Sequence, residues 1–144
     1  MCTLFNETSS VQLLQFSFQP ENIICSKENQ IKIIDFGTAK RLRPEKQVRA
    51  MCGTAEFLAP EIVNYDDIST QTDMWAVGVI CYILLSGYSP FLGDNDGQTF
   101  NNISGCLYDF NIPEFQHISE SAKDFVSKLL VKEQGERLTA TKVW

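Results

Sequence analysis

The feature that most constrains this chain is an uninterrupted apolar stretch, MWAVGVICYILL from Met74 to Leu85. A helix that is apolar on every face must be buried. The stretch is also well short of the roughly 20 residues that cross a bilayer. Thr70 and Asp73 precede it in a capping-box pattern, and Gly87 and Pro90 follow it as stop signals. We therefore predict a buried helix at the centre of the fold.

The segments around this helix predict a mostly α-helical domain with a small β-hairpin. Two β-prone runs, Asn22 to Cys25 and Ile31 to Ile34, are separated by the polar sequence SKENQ. VQLLQFSF, before them, reads as a short irregular apolar stretch, and periodicity is lost from Asp35 to Leu58. Helical patterns return around 96–104, over 121–130 and in the final LTATKVW. A chain of 144 residues with 44% hydrophobic residues can bury one core of this kind.

Charge and cysteine usage indicate which environments and partners to expect. A net charge of −6 argues against nucleic acid and membrane partners, because both attract clustered Lys and Arg. The five cysteines are odd in number, widely spaced and without a CxxC pair, which favours reduced thiols over disulfides or zinc. The residues after Met1 lack the pattern of a secretory signal. We therefore expect a cytoplasmic protein.

Several short motifs follow one another along the chain. They are PEN ending at Asn22, DFG from Asp35 to Gly37, the pair Gly53-Thr54, APE ending at Glu61, Asp73 with Trp75 and Gly78, and finally Arg137. In this order and spacing the set resembles the C-terminal lobe of a eukaryotic Ser/Thr protein kinase. EIVNYDDISTQTDMW and AKDFVSKLLVKEQGERLTA are most similar to the calmodulin-regulated group of myosin light chain, titin-type and death-associated protein kinases. The resemblance covers about 19–144 as a partial kinase domain and leaves 1–18 as an unmatched segment.

The resemblance implies ATP and Mg²⁺ as cofactors, with Asp35 and Asn22 as metal ligands. Both side chains offer oxygen donors, as a hard cation requires, and the hairpin would bring them together. The alternative is that Asp35 and Asn22 only satisfy hydrogen bonds in turns.

Other roles are structural by the same resemblance. Glu61 and Arg137 correspond to a buried ion pair that ties the activation segment to the last helices. Asp73 would hold the backbone of the catalytic loop. Gly37, Gly53, Thr54 and Glu61 would belong to the activation segment and the substrate-binding surface.

Departures from the family pattern decide the expected activity. In the register set by Asn22, Ser17 and Gln19 stand where the catalytic aspartate and lysine are found, so no catalytic residue is intact. A serine hydroxyl does not accept a proton near neutral pH, and Gln19 carries no charge. The sequence before Ser17 also contains no Gly-rich loop, β3 lysine or αC glutamate, so we expect a lobe without its N-terminal partner. ATP and Mg²⁺ would then not bind tightly.

Control by phosphorylation or calmodulin is not expected. The sequence between Lys40 and Cys52 has no Ser, Thr or Tyr, and Phe16 takes the place of the arginine that would bind a loop phosphate. The calmodulin-binding tail of the family would follow Trp144, so we do not expect it in this sequence. The basic stretch KRLRPEKQVR could attract an acidic partner or form a solvated loop, and the lone His117 is expected at the surface.

Three functional hypotheses remain open. The chain descends from Ser/Thr kinases that phosphorylate proteins, and it is a truncated or alternatively spliced product or a partial gene model. It could be a non-catalytic binding module that uses Gly53–Glu61 and Gly93–Ser104 to compete for kinase substrates or regulators. It could instead be an unstable fragment. Basic substrates would be compatible with the acidic residues Asp94, Asp96, Asp109 and Glu114.

Overall fold

The computed structural model describes residues 12–16, 18–28, 30–42 and 48–142. This part of the chain contains four helices: α1 (Pro60–Val63), α2 (Thr70–Ser86), α3 (Asp96–Gly105) and α4 (Glu120–Leu129). It also contains four short strands: β1 (Gln12–Leu14), β2 (Ile23–Cys25), β3 (Ile31–Ile33) and β4 (Lys40–Leu42). Single 3-10 turns cover Pro20–Asn22, Ala55–Phe57, Pro113–His117 and Ala140–Lys142. The mostly α-helical fold with a small hairpin is confirmed.

The long helix α2 begins and ends by different local means. The Ser69 side chain accepts a hydrogen bond from the Gln71 amide, and the Thr72 side chain caps the Ser69 amide in return. The predicted Thr70–Asp73 capping box is therefore wrong by one residue. The predicted stop at Gly87 is confirmed, because this glycine has a left-handed φ of 80° and donates to the Ile83 carbonyl at 2.7 Å.

The core is built around α2, as its composition predicts. Trp75 is fully buried and stacks on Phe91 with ring centroids 5.0 Å apart. The same cluster contains Ala59, Val79, Tyr82, Ile103, Phe115, Val126 and Leu130. The expectation that α2 is buried on all sides is wrong, because Leu84 is 78% exposed. One side of the helix near its C-terminal end therefore faces solvent.

The hairpin is confirmed, and a second ladder accompanies it. Strands β2 and β3 pair antiparallel with Ile23 opposite Ile33. Strands β1 and β4 also pair antiparallel, with Leu14 opposite Lys40. The reading of VQLLQFSF as irregular is therefore wrong for its described part, since β1 is a strand and Leu14 is fully buried. Strand β4 also lies within the stretch from Asp35 to Leu58, where the sequence showed no periodicity.

Helices α3 and α4 follow the predicted patterns with shifted starts. Asn95 caps α3 by accepting from the Gln98 amide at 3.0 Å. Ser119, two residues before the start of the predicted pattern, caps α4 by accepting from the Ala122 amide at 3.3 Å. The predicted final helix is a 3-10 turn over its described residues, and residues 143–144 lie outside them. Among the described helices, none has the length and apolarity that a membrane span requires.

Candidate nucleotide and substrate site

The open end of the β2–β3 hairpin carries the two predicted metal ligands. The Ile34 amide donates to the Asn22 carbonyl at 2.9 Å, which extends the pairing by one step and places Asp35 beside it. Asn22 is buried, whereas Asp35 is exposed and has a left-handed φ of 61°. The Asp35 carboxylate accepts from the Gly37 amide at 3.0 Å, so the turn interaction considered from sequence is present too.

The donors at this end fit a magnesium ion that is shared with a nucleotide. They are one carboxylate and one amide, both hard oxygen donors. Magnesium ordinarily takes its remaining ligands from water and phosphate oxygens. Within the described residues, no group of three or more His, Cys, Asp and Glu side chains is arranged to hold a metal by itself. When bound, the ion would neutralise phosphate charge.

Asp73 connects α2 to the backbone of the segment that corresponds to the catalytic loop. Its carboxylate accepts from the Gln15 amide at 2.8 Å and from the Phe16 amide at 3.2 Å. Burial raises the pKa of Asp73 to about 6, although the two backbone hydrogen bonds act in the opposite direction. The Gln15 side-chain amide donates in turn to the Asp35 carbonyl at 2.6 Å. The loop segment is thus joined both to the central helix and to the DFG motif.

Of the two predicted replacements in the catalytic loop, Gln19 is described and Ser17 lies outside the described residues. The Gln19 side-chain carbonyl accepts from the Thr54 hydroxyl at 2.7 Å. This contact connects the loop to the activation segment across 35 residues of sequence. It is made by a neutral amide, at the position where the family pattern has a lysine.

A second apolar cluster holds the activation segment against the loop. Phe16 is 9% exposed and packs with Leu14, Ala50, Leu58, Ile62 and Ile68. The Lys40 ammonium lies 5.4 Å from the centre of the Phe16 ring. In the sequence, Phe16 was noted only because it takes the place of the arginine that would bind a loop phosphate. Its apolar side chain and the flanking apolar residues were the available signal for this packing role.

Gly53 lies where the activation segment passes close to the loop. Its φ is 123°, and a side chain there would meet Leu58 at 2.8 Å and the Phe16 carbonyl at 3.3 Å. The approach of the two segments therefore requires a glycine at this position.

Glu61 and Arg137 form a buried bidentate ion pair. The guanidinium donates to the two carboxylate oxygens at 2.9 and 3.1 Å, and the side chains are 5% and 0% exposed. Arg137 also donates to the carbonyls of Gln71 and Val131, and it lies 5.1 Å from the centre of the Trp75 ring. The pair therefore joins α1, α2 and the C-terminal segment.

The other residues considered from sequence lie at the surface. His117 is exposed at the end of a 3-10 turn. Asp94 and Asp96 flank the start of α3, whereas Asp109 and Glu114 line a groove beside the end of α2. The central part of the basic loop, residues 43–47, lies outside the described residues.

The chain is similar to known proteins over most of its length. A family model described as "Protein kinase domain" matches residues 17–144. Human myosin light chain kinase family member 4 is 52% identical over 143 residues, which cover 98% of this chain and 37% of that protein. Human myosin light chain kinase 3 is 54% identical over 131 residues, covering 90% of this chain and 16% of that protein.

A solved structure shows the same relationship. The twitchin kinase region from C. elegans superposes with a TM-score of 0.83 at 43% identity, covering 88% of this chain and 23% of that chain. The present chain therefore spans well under half the length of these relatives. The predicted resemblance to the calmodulin-regulated group is confirmed, and the boundary at residue 18 stays a prediction. The chain belongs to the protein kinase domain family, and its relatives include the myosin light chain kinases.

Proposed function

We propose that this polypeptide is a kinase lobe that does not transfer phosphate and instead binds protein partners of Ser/Thr kinases. The observation that carries the proposal is the hydrogen bond between Gln19 and Thr54. It keeps the loop attached to the activation segment and yet brings no positive charge to the site. The loop therefore keeps its contact with the activation segment but supplies no positive charge for phosphoryl transfer.

The expected loss of phosphoryl transfer follows from the side chains of Ser17 and Gln19. Phosphoryl transfer depends on positioning and on stabilisation of charge at the migrating group. Ser17 is not a base near neutral pH, and loss of a general base typically lowers the rate by roughly 10²- to 10⁴-fold. Gln19 has no charge with which to stabilise the transferring phosphoryl group. Asn22 and Asp35 can hold a metal ion, but they supply neither of these functions.

The binding role is supported by contacts that hold the lobe together around the site. Asp73 and the Glu61–Arg137 pair hold the loop, the activation segment and the last helices together. The exposed residues within 53–57 and 93–104 are thereby presented on a fixed support, whereas residues 58–61 are buried. Since the relatives are named for myosin light chains, we propose a light chain as the first partner to test.

The loss of transfer is tested with purified chain, Mg²⁺, γ-labelled ATP and a basic Ser/Thr peptide. We expect no more label on the peptide than with the Asp35→Ala variant, which removes the carboxylate ligand. Labelling that Asp35→Ala abolishes would overturn the proposal. Thermal shift with Mg-ATP on the same two proteins measures separately whether a weak nucleotide site remains.

The binding role is tested by competition. Increasing amounts of the chain are added to an active myosin light chain kinase and its light-chain substrate. We expect the apparent KM for the light chain to rise while kcat stays constant. An unchanged KM at saturating amounts of folded chain would contradict the binding role and leave the loss of transfer standing.

We also propose a cytoplasmic location, which the cysteines support. In the described part of the chain, Cys25, Cys52, Cys81 and Cys106 are free thiols. Burial raises the pKa of Cys81 and Cys106, which favours the protonated thiol over the thiolate. Fractionation of cells that express the tagged chain would test the location.

A further inference from the structure

The turn after α1 contains a tyrosine in a backbone conformation that ordinarily belongs to glycine. Tyr65 has a left-handed φ of 58°. Its amide donates to the Ile62 carbonyl at 3.1 Å, and the Asp66 amide donates to the Glu61 carbonyl at 2.7 Å. This pair of bonds is the Schellman motif, in which the left-handed residue is usually glycine. A bulky residue strains the backbone there, so its presence points to a role for the side chain itself.

The Tyr65 side chain is open to solvent. The residue is 54% exposed, and its neighbours Asn64 and Asp66 are exposed as well. Among the other tyrosines, Tyr82 is buried and Tyr108 is partly buried. An enzyme that modifies phenols can therefore reach Tyr65.

A basic side chain lies beside this turn. The Arg49 Nε atom donates to the Asp67 carboxylate at 3.0 Å, and both side chains are about half-exposed. The Ile68 amide donates to the Val48 carbonyl at 3.1 Å, which joins the segment of Arg49 to the segment that follows Tyr65. Asp67 is the main cause that raises the pKa of Arg49, and Tyr65 is among the smaller ones. Arg49 therefore lies within electrostatic reach of the Tyr65 phenol.

A phosphate on Tyr65 would change the partners of Arg49. It would carry a charge of about −1.5 to −2 and three strong acceptor oxygens, more than the single charge of Asp67. A guanidinium binds a phosphate through paired, charge-assisted hydrogen bonds. Asp66 and Asp67 oppose the phosphate by like-charge repulsion, but both reach solvent, where salt screens the repulsion. Arg49 supplies the positive charge that holds the phosphate in place.

We propose that Tyr65 is a phosphorylation site for a protein tyrosine kinase and that Arg49 binds the resulting phosphate. That kinase acts in trans with Mg-ATP. The Tyr65 oxygen forms a bond to the γ-phosphorus, the bond from this phosphorus to the ADP oxygen breaks, and the phenolic proton passes to the base of that kinase.

The phosphate then joins the turn after α1 to the activation segment ahead of Gly53. The stretch between Lys40 and Cys52 has no Ser, Thr or Tyr, so the phosphate comes from outside it and the arginine from within it. The site does not depend on whether the lobe itself transfers phosphate, because the lobe is here the substrate.

Incubation of the full chain with Mg-ATP and a purified tyrosine kinase of broad specificity tests the site. Mass spectrometry locates the phosphate, and its amount is compared between the natural chain, Tyr65→Phe and Tyr88→Phe. Tyr88 is the matched control, because it is 58% exposed but lines a groove with Asp109 and Glu114 and without Lys or Arg among its described residues. We expect Tyr65→Phe to remove most of the phosphate and Tyr88→Phe to leave it nearly unchanged. No phosphate on Tyr65, or equal amounts on both tyrosines, would overturn the site.

The role of Arg49 is tested by ³¹P NMR of the phosphorylated chain. The second pKa of the phosphate, ordinarily about 6, is measured in the natural background and in Arg49→Gln. We expect it to be lower by about 0.5–1 in the natural background, because a neighbouring cation favours the doubly charged phosphate. Added salt should reduce this difference.

The control for charge alone is Lys27→Gln, which removes one positive charge from the exposed turn between β2 and β3. It should leave the phosphate pKa unchanged, and circular dichroism should show every variant folded. The same pKa with and without Arg49, or an equal effect of Lys27→Gln, would show that Arg49 does not bind the phosphate.

Discussion

Two opposing effects act on the carboxylate of Asp73. Burial disfavours its ionised form, whereas the amides of Gln15 and Phe16 stabilise it by hydrogen bonding. Burial is the larger effect, so the pKa rises from the ordinary 3.8 to about 6. A residue that looks like a helix cap in the sequence therefore becomes a titrating connection between the central helix and the loop.

This shift predicts a pH dependence of stability. Between pH values of about 4 and 6, folded Asp73 retains a proton that the unfolded chain has released. The free energy of unfolding should therefore fall as the pH rises through this window, by on the order of 2 kcal/mol more than in a variant without the carboxyl. Urea unfolding at pH 4 and 6.5 for the natural chain and Asp73→Asn measures the difference. Parallel pH profiles for the two proteins would contradict the prediction.

Among the helices, α2 is ended by a backbone conformation rather than by a packing contact. Gly87 follows α2 with a φ of 80°, and a Cβ added there would meet no atom within 4 Å. Gly135 has equally open surroundings without a left-handed φ. A comparison of alanine substitutions at Gly87 and Gly135 therefore measures the effect of backbone strain without a steric contact.

Gly87→Ala should lower the free energy of unfolding by about 1 kcal/mol, because alanine is strained in the left-handed conformation. Gly135→Ala should leave it nearly unchanged, since neither strain nor contact opposes the added methyl group. Thermal or urea unfolding of both variants provides the measurement. A similar loss in both would show that the effect does not come from the left-handed cap.

Across the whole molecule, contacts between distant segments determine how the lobe is assembled. The Glu61–Arg137 pair joins residues 76 positions apart, and the Asp73 contacts span 57 and 58 positions. The pair is buried on both sides. Removal of one member leaves the other charge without compensation in a region from which water is excluded.

Arg137→Met should therefore lower the free energy of unfolding by about 3–5 kcal/mol. The matched control is Arg49→Met, which breaks the pair with Asp67 at 3.0 Å, where the side chains are 50% and 40% exposed. That change should cost less than about 1 kcal/mol. Chemical denaturation compares the two variants. Equal losses would mean that the buried pair does not organise the lobe.

Local patterns were sufficient for the elements that depend on near neighbours. The apolar run from Met74 predicted the central helix, and the β-prone runs around SKENQ predicted the hairpin. The motifs containing Asn22 and Asp35 predicted which side chains lie at the hairpin end. The true caps at Ser69 and Ser119 were missed, because several adjacent hydroxyl and carboxyl residues could each have served.

The amino-acid sequence by itself determined the family, the central helix and the hairpin, and it predicted the loss of catalytic residues at Ser17 and Gln19. The helix and the hairpin follow from spacing within a few positions, whereas the family follows from the order of short motifs along the chain. Tertiary structure alone decided the pairing of β1 with β4, the role of Phe16 as an apolar anchor, and the acidic groove beside α2. These features require segments tens of residues apart to meet, and the energies that bring them together come from burial and electrostatics in three dimensions.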